Sequence, residues 1–190
     1  MTEPEIERAD QILRRHGVRY IVVGGQAIGK SVSTTDDVDV LVTTGDYAET
    51  VPKLRDEPEL KFEWEEGGVT RFRILAAGVP LDILDAATFA GDRTDEEFFA
   101  FLREEESTER DGIRFASAAA VWYTRLMIRR WKTYAEKILR NAIGGVGAGR
   151  LRRVEEISER FGTEATIRER VDYVRAEMRR PDLEYILHDN

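Results

Sequence analysis

The 190-residue chain contains no cysteine. That removes disulfides, thiolate metal sites and a cysteine nucleophile together. Its two histidines, His16 and His188, lie near opposite ends of the sequence, so any metal would be held by oxygen ligands. No apolar run approaches the roughly 18 residues that a membrane-spanning helix needs, so no membrane partner is expected. The opening residues, "MTEPEIERADQILRR", are charged and lack the apolar core of a secretory leader, which predicts a cytoplasmic protein. The length suits one domain, or one domain with a modest appendage, and can bury a sizeable core.

What the chain does have is charge, unevenly placed. The formal net charge of −8 argues against a generally basic nucleic-acid coat. Residues 92–111 carry nine acids against three arginines, whereas residues 116–155 carry nine Lys or Arg against two Glu. The basic stretch can meet phosphates or simply form a solvated helix surface.

Periodicity predicts an amphipathic helix through Ile6, Ala9, Ile12 and Leu13, stopped at Gly17, with His16 capping its end. Short strands follow at "RYIVVGG" and "VDVLV", then a helix from about Asp46 to Leu54. A meander comes next: "LKFEWEE", a Gly67-Gly68 turn, "VTRFRIL" and "LDILDA". In it, Phe62, Trp64, Phe72 and Ile74 alternate with polar residues, as strands with one packed face do. "DEEFFAFLREEE" reads as a helix whose "REEE" end is solvated, and "IRFAS" as a last strand. From Ala116 the pattern is helical: one long helix to about Ile143, a break at "GGVGAG", and two more helices ended by Pro181. The expected class is α+β, a mixed β-sheet flanked by helices (residues 1–115) with a C-terminal helical lobe (116–190).

Residues 21–42, "IVVGGQAIGKSVSTTDDVDVLV", fit two chemistries. Gly24, Gly29, Lys30 and Ser31 match the phosphate-loop pattern G-x-x-x-x-G-K-[ST]. That loop needs a helix starting at Gly-Lys-Ser, long enough to cross back to a parallel strand. Here only "VSTTDD" separates Ser31 from the next strand, and its residues are weak helix formers. The match is therefore set aside.

The alternative starts from the two glycines, whose bare backbone allows a triphosphate to approach closely. On an extended segment, residues two apart share a face. Asp37 and Asp39 then project together while Val38 and Val40 enter the core. "PLDILD" offers a third acid, Asp82, flanked by the apolar Leu81 and Ile83. Three carboxylates on one face repel one another in a low dielectric. Two magnesium ions roughly 3.5–4 Å apart relieve that repulsion and form a clamp for in-line displacement at phosphorus.

This ordered pattern of strand, Gly-Gly, D-x-D and a later lone Asp resembles the polymerase-beta-type nucleotidyltransferase superfamily. Within it, "GGQA…TTDDVDVLV" looks most like the minimal prokaryotic members related to abortive-infection toxins. The resemblance covers residues 18–85 closely and the remainder only in architecture. It implies the nucleotidyltransferase fold, nucleotide-phosphate contacts at Gly24 and Gly25, and metal ligation by Asp37 and Asp39. Asp82 would complete the metal site and help deprotonate the acceptor hydroxyl. The implied cofactor is a pair of Mg2+ ions, with Mn2+ as a substitute. The implied activity is transfer of NMP from an NTP, ATP included, to a hydroxyl acceptor, with release of pyrophosphate. The acceptor would be an RNA 3′ end (tRNA among them), a protein or a small molecule. A toxin–antitoxin role with a partner antitoxin protein follows from the same likeness. So does the alternative of a catalytically weak or inactive relative that binds nucleotide or a protein partner.

One departure stands out. Such relatives often carry an arginine four residues before the first metal Asp, where this chain has Ser33. Replacement cations are sought on the long helix, where Arg125, Arg129 and Lys132 form one row beside the apolar face of Ile128, Trp131, Ala135, Ile138 and Leu139. Arg129 and Lys132 are the expected nucleotide-phosphate contacts, or else plain solvated charges. Thr35 joins the nucleotide site or shapes the turn, and Asp36 and Asp85 are read as turn or capping residues. "GGVGAG" is read as an interhelix turn, and Trp122 and Trp131 as core.

Overall fold

The computed structural model describes residues 3–29, 37–142 and 147–180. The chain divides into two compact units, Met1–Val121 and Trp122–Asn190. The first unit carries a seven-stranded mixed sheet of order β3-β4-β5-β2-β1-β7-β6. Its strands are β1 (Ile21–Val22), β2 (Val38–Val42), β3 (Leu60–Glu66), β4 (Val69–Ile74), β5 (Val79–Asp85), β6 (Ser107–Arg110) and β7 (Ile113–Ala116). β2 runs parallel to β5 and β1 parallel to β7, while the other neighbours are antiparallel. Among the described residues, α1 (Pro4–Arg15), α2 (Thr44–Arg55) and α3 (Asp95–Glu105) lie wholly within this unit. The expected α+β class therefore holds.

Alternation along the strands builds the core. Val38, Val40 and Val42 of β2, Leu81 and Ile83 of β5, and Phe72 and Ile74 of β4 share one buried cluster with Ile6, Ala9, Ile12 and Leu13 of α1 and Val51 and Leu54 of α2. Burial of the Val, Leu, Ile and Phe side chains among them contributes about 1.5–3 kcal/mol each. The opposite face of the sheet keeps Ile21 and Leu41 fully buried, but between them and the β3 edge it turns polar. Local signals act as their chemistry dictates. Thr94 and Glu97 close a reciprocal capping box on α3. Asp85 accepts from the Ala87 amide at 2.9 Å, the expected capping role. His16 ends α1 as expected, and its Nε2 also lies 2.9 Å from Glu57 Oε2.

Two parts of this unit differ from expectation. β6 pairs with β7 although its "STER" residues lack an apolar alternation; its exposed side chains explain why no pattern betrays it. Glu106, read as part of a solvated face, is buried, where its side chain accepts from the Ser117 hydroxyl and its backbone carbonyl from the Ser117 amide.

The second unit is helical. The expected long helix is two, α4 (Ala118–Met127) and α5 (Trp131–Ala142); the boundary between the units falls inside α4. The chain breaks where Arg170 donates to the carbonyl of Leu126, and the next helix restarts with the Trp131 amide on Ile128 at 3.2 Å. No glycine or proline marks the break, because a distant guanidinium takes over the carbonyl at the end of α4. α6 (Gly147–Arg160) and α7 (Glu164–Met178) follow. Gly147, Ala148 and Gly149 are the first turn of α6, not an interhelix turn; the preceding glycines, like Pro181, lie outside the described residues. Ala135, Ile138, Leu139, Leu151, Val154, Ile157, Ile167, Val171 and Val174 are buried. Among the described residues, no helix is long and apolar enough to cross a membrane.

Candidate metal centre

The three predicted acids come together. Asp39 stands directly opposite Asp82 in the parallel β2–β5 ladder, and Asp37 precedes β2 on the same side. One carboxylate oxygen from each of Asp37, Asp39 and Asp82 lies within 4.8 Å of the others. The register explains it: Val38 and Val40 are pinned in the core, so the odd-numbered acids must face the other way. Asp82 is the deepest, with a side chain 9% exposed, against 27% for Asp37.

Gly24 is explained by the site itself. A Cβ there would lie 2.8 Å from Cγ and 2.9 Å from Cβ of Asp39, so the backbone can pass this carboxylate only without a side chain. Gly25 opens a short 3-10 turn, Gly25–Ile28, closed by Gly29 at φ 81°. Buried within that turn, the Gln26 side chain donates to the backbone carbonyl of Asp37. The Val23 amide donates to the Asp39 carbonyl at 3.0 Å. Two tethers thus hold the glycine turn against the start of β2. Because β1 pairs antiparallel with β2, this stretch lacks the parallel crossover that a phosphate loop joins.

Sequence reasoning missed Arg71. It stands opposite Asp82 in the β4–β5 ladder, with its Nε and Nη2 donating to the two Asp82 oxygens at 2.6 Å each. Nη2 also donates to Asp37 Oδ2 at 3.1 Å. Hydrogen bonding to Asp82, reinforced by the charges of Asp82, Asp37 and Asp39, raises the Arg71 pKa above its ordinary value. Charge-assisted forks of this kind are short and directional.

Trp64 extends the row. The β3–β4 ladder slips between Phe62 and Trp64, so Phe62 pairs with Phe72 on the core side while Trp64 pairs with Arg71 on the acidic side. This corrects the expectation that Phe62 and Trp64 share a face: a bulge re-aims the second side chain. The Arg71 guanidinium lies 5.4 Å from the Trp64 ring centre. The neighbouring Arg73 is bound to Glu63 at 2.6 Å and to the Gly78 carbonyl at 2.7 Å.

Other predicted site residues fall elsewhere. Thr35 lies outside the described residues, as do Lys30, Ser31, Ser33 and Asp36. Arg129 occupies the turn between α4 and α5 rather than a helical row with Arg125 and Lys132, and both Arg129 and Lys132 are exposed. Trp122 is fully buried, as expected, whereas Trp131 is only partly buried, edge-on to Tyr173 at 5.3 Å.

The donor set fits a hard divalent cation: all three groups are carboxylates, converging without sulfur or imidazole. Arg71 already engages both oxygens of Asp82, so the arrangement holds a cationic partner of its own. No protein-family model matches this chain, and no curated protein matches it either.

Proposed function

We propose that the first unit is a magnesium-dependent nucleotidyltransferase with the polymerase-beta-type fold, moving NMP from an NTP to a hydroxyl acceptor. The observation that carries this reading is the convergence of Asp37, Asp39 and Asp82 beside the bare backbone of Gly24. Bound to these carboxylates, two Mg2+ ions, or Mn2+ in their place, would neutralise the charge that develops on the transferred phosphoryl group. The acceptor oxygen bonds to the α-phosphorus as the bond to the β-phosphate oxygen breaks, and pyrophosphate leaves. The hydroxyl proton passes to Asp82. Gly24 and Gly25 leave room for phosphates, and the protein contributes mainly position and charge.

An RNA 3′ end is the acceptor class we favour, because residues 116–155 carry nine basic residues against two acids. Under this reading the chain acts as a toxin-like enzyme, with an antitoxin as its protein partner. The test is transfer of label from each α-labelled NTP into total tRNA, with protein and small-molecule acceptors in parallel. Asp39→Asn should abolish transfer while preserving the fold. Undiminished labelling by that variant would refute the site.

A second reading has its own support. The Arg71 fork on Asp82 would suit a catalytically inactive relative in which the arginine permanently replaces a metal, leaving a nucleotide- or protein-binding module. In that case no NTP is turned over with any acceptor, and binding persists without divalent ions.

A further inference from the structure

We infer that Arg71 is an exchangeable counter-cation: it neutralises the carboxylate cluster at rest, and hands Asp82 and Asp37 over to divalent ions while its guanidinium moves to a nucleotide phosphate. This inference rests on the nucleotidyltransferase reading of the acidic site.

The starting point is geometric. Arg71 touches two of the three acids through three hydrogen bonds, on the face where those acids converge. Like-charged carboxylates at such range need a cation, and Arg71 supplies one to Asp82 and Asp37. Two divalent ions would turn the cluster net positive, and a guanidinium touching the same oxygens would then be repelled. A polyphosphate arriving with the ions reverses the sign again and offers the planar fork an equivalent bidentate partner.

The side chain has room and a guide for this movement. The Arg71 side chain is 26% exposed, so it is not sealed in the core. Its other neighbour is the Trp64 ring, 41% exposed, over which a guanidinium can shift while keeping its contact. Arg73 is not an equivalent candidate, because Glu63 and the Gly78 carbonyl hold it.

The experiment is calorimetric Mn2+ binding to the full chain, with and without a non-hydrolysable NTP analogue, for the wild type and for Arg71→Met and Arg71→Lys. Without nucleotide, Arg71→Met should bind Mn2+ about tenfold more tightly than wild type, since the competitor is gone. The analogue should strengthen wild-type Mn2+ binding about tenfold, a normal coupling between sites, and this gain should shrink in Arg71→Met. Arg71→Lys, with charge but no fork, should fall between. Equal or weaker Mn2+ binding by folded Arg71→Met would overturn the inference and leave Arg71 a fixed brace, with the transferase reading intact. Failure of every protein to bind Mn2+ would overturn the transferase reading and the exchange together. Should Arg71→Met not fold, the wild-type Arg71 Nε–H resonance decides. It should shift when Mg2+ and the analogue are added together, and an unmoved signal would overturn the exchange.

Discussion

Arg71 and Asp82 stand directly opposite each other on antiparallel strands and share two hydrogen bonds of 2.6 Å. The pair is asymmetric in depth: the Asp82 side chain is 9% exposed and that of Arg71 26%. Removing the arginine therefore strands the deeper charge, whereas removing the acid leaves an arginine that can still reach Asp37. Stability should respond accordingly. In a double-mutant cycle, Arg71→Ala should cost more than Asp82→Ala, and the coupling between them should be about 1–3 kcal/mol. Denaturant unfolding of the four proteins measures it; additivity within error would mean that the fork contributes nothing to the fold.

Gly24 and Gly45 offer a contrast that separates steric need from backbone freedom. An added Cβ at Gly24 runs into the Asp39 carboxylate, while at Gly45, inside α2, it meets nothing within 4 Å. Gly24→Ala should destabilise the protein by about 1–3 kcal/mol through overpacking and displace Asp39 from the cluster. Gly45→Ala should stabilise it by about 0.5–1 kcal/mol, because alanine is the better helix former. Thermal unfolding of the two variants reads both signs, and a harmless Gly24→Ala would show that the backbone can yield at this point.

The acidic half of the site was legible because strand alternation leaves no choice: once the valines of "VDVLV" are in the core, the acids face outward together. Gly-Gly was legible as a close-approach signal, although the group most evidently excluding a side chain at Gly24 is Asp39. Arg71 was legible in principle and missed. Gly67 and Gly68, both at positive φ, form a two-residue turn that sets Trp64 opposite Arg71, and the short β4–β5 connection sets Arg71 opposite Asp82. Reading strands one at a time hides such a row, because register belongs to the turns. The β3 bulge had no comparable signal, and neither did the break between α4 and α5. The helix break depends on a partner remote in sequence, Arg170, and the bulge on one extra residue, Glu63, within the hairpin register.

The contact between the end of α1 and the connection from α2 to β3 makes a prediction about acid. His16 Nε2 lies 2.9 Å from Glu57 Oε2, and Glu57 is 9% exposed. The bond from His16 is the largest influence holding the Glu57 carboxyl below its ordinary range; Arg15 and the backbone amide of Glu59 add to it. A carboxyl with a lower pKa folded than unfolded stabilises the native state above its unfolded value, and that contribution disappears as pH falls through the folded value. Wild-type stability should therefore decline on acidification from about pH 6 to pH 3 more steeply than that of Glu57→Gln. The variant should be the weaker protein near neutrality, and the gap should close towards the acid end. Other carboxylates titrate in the same window, including Glu59 beside Arg15, so the difference between the two proteins carries the information. Denaturant midpoints at each pH supply it, and parallel curves would show that the His16–Glu57 contact does not link folding to pH.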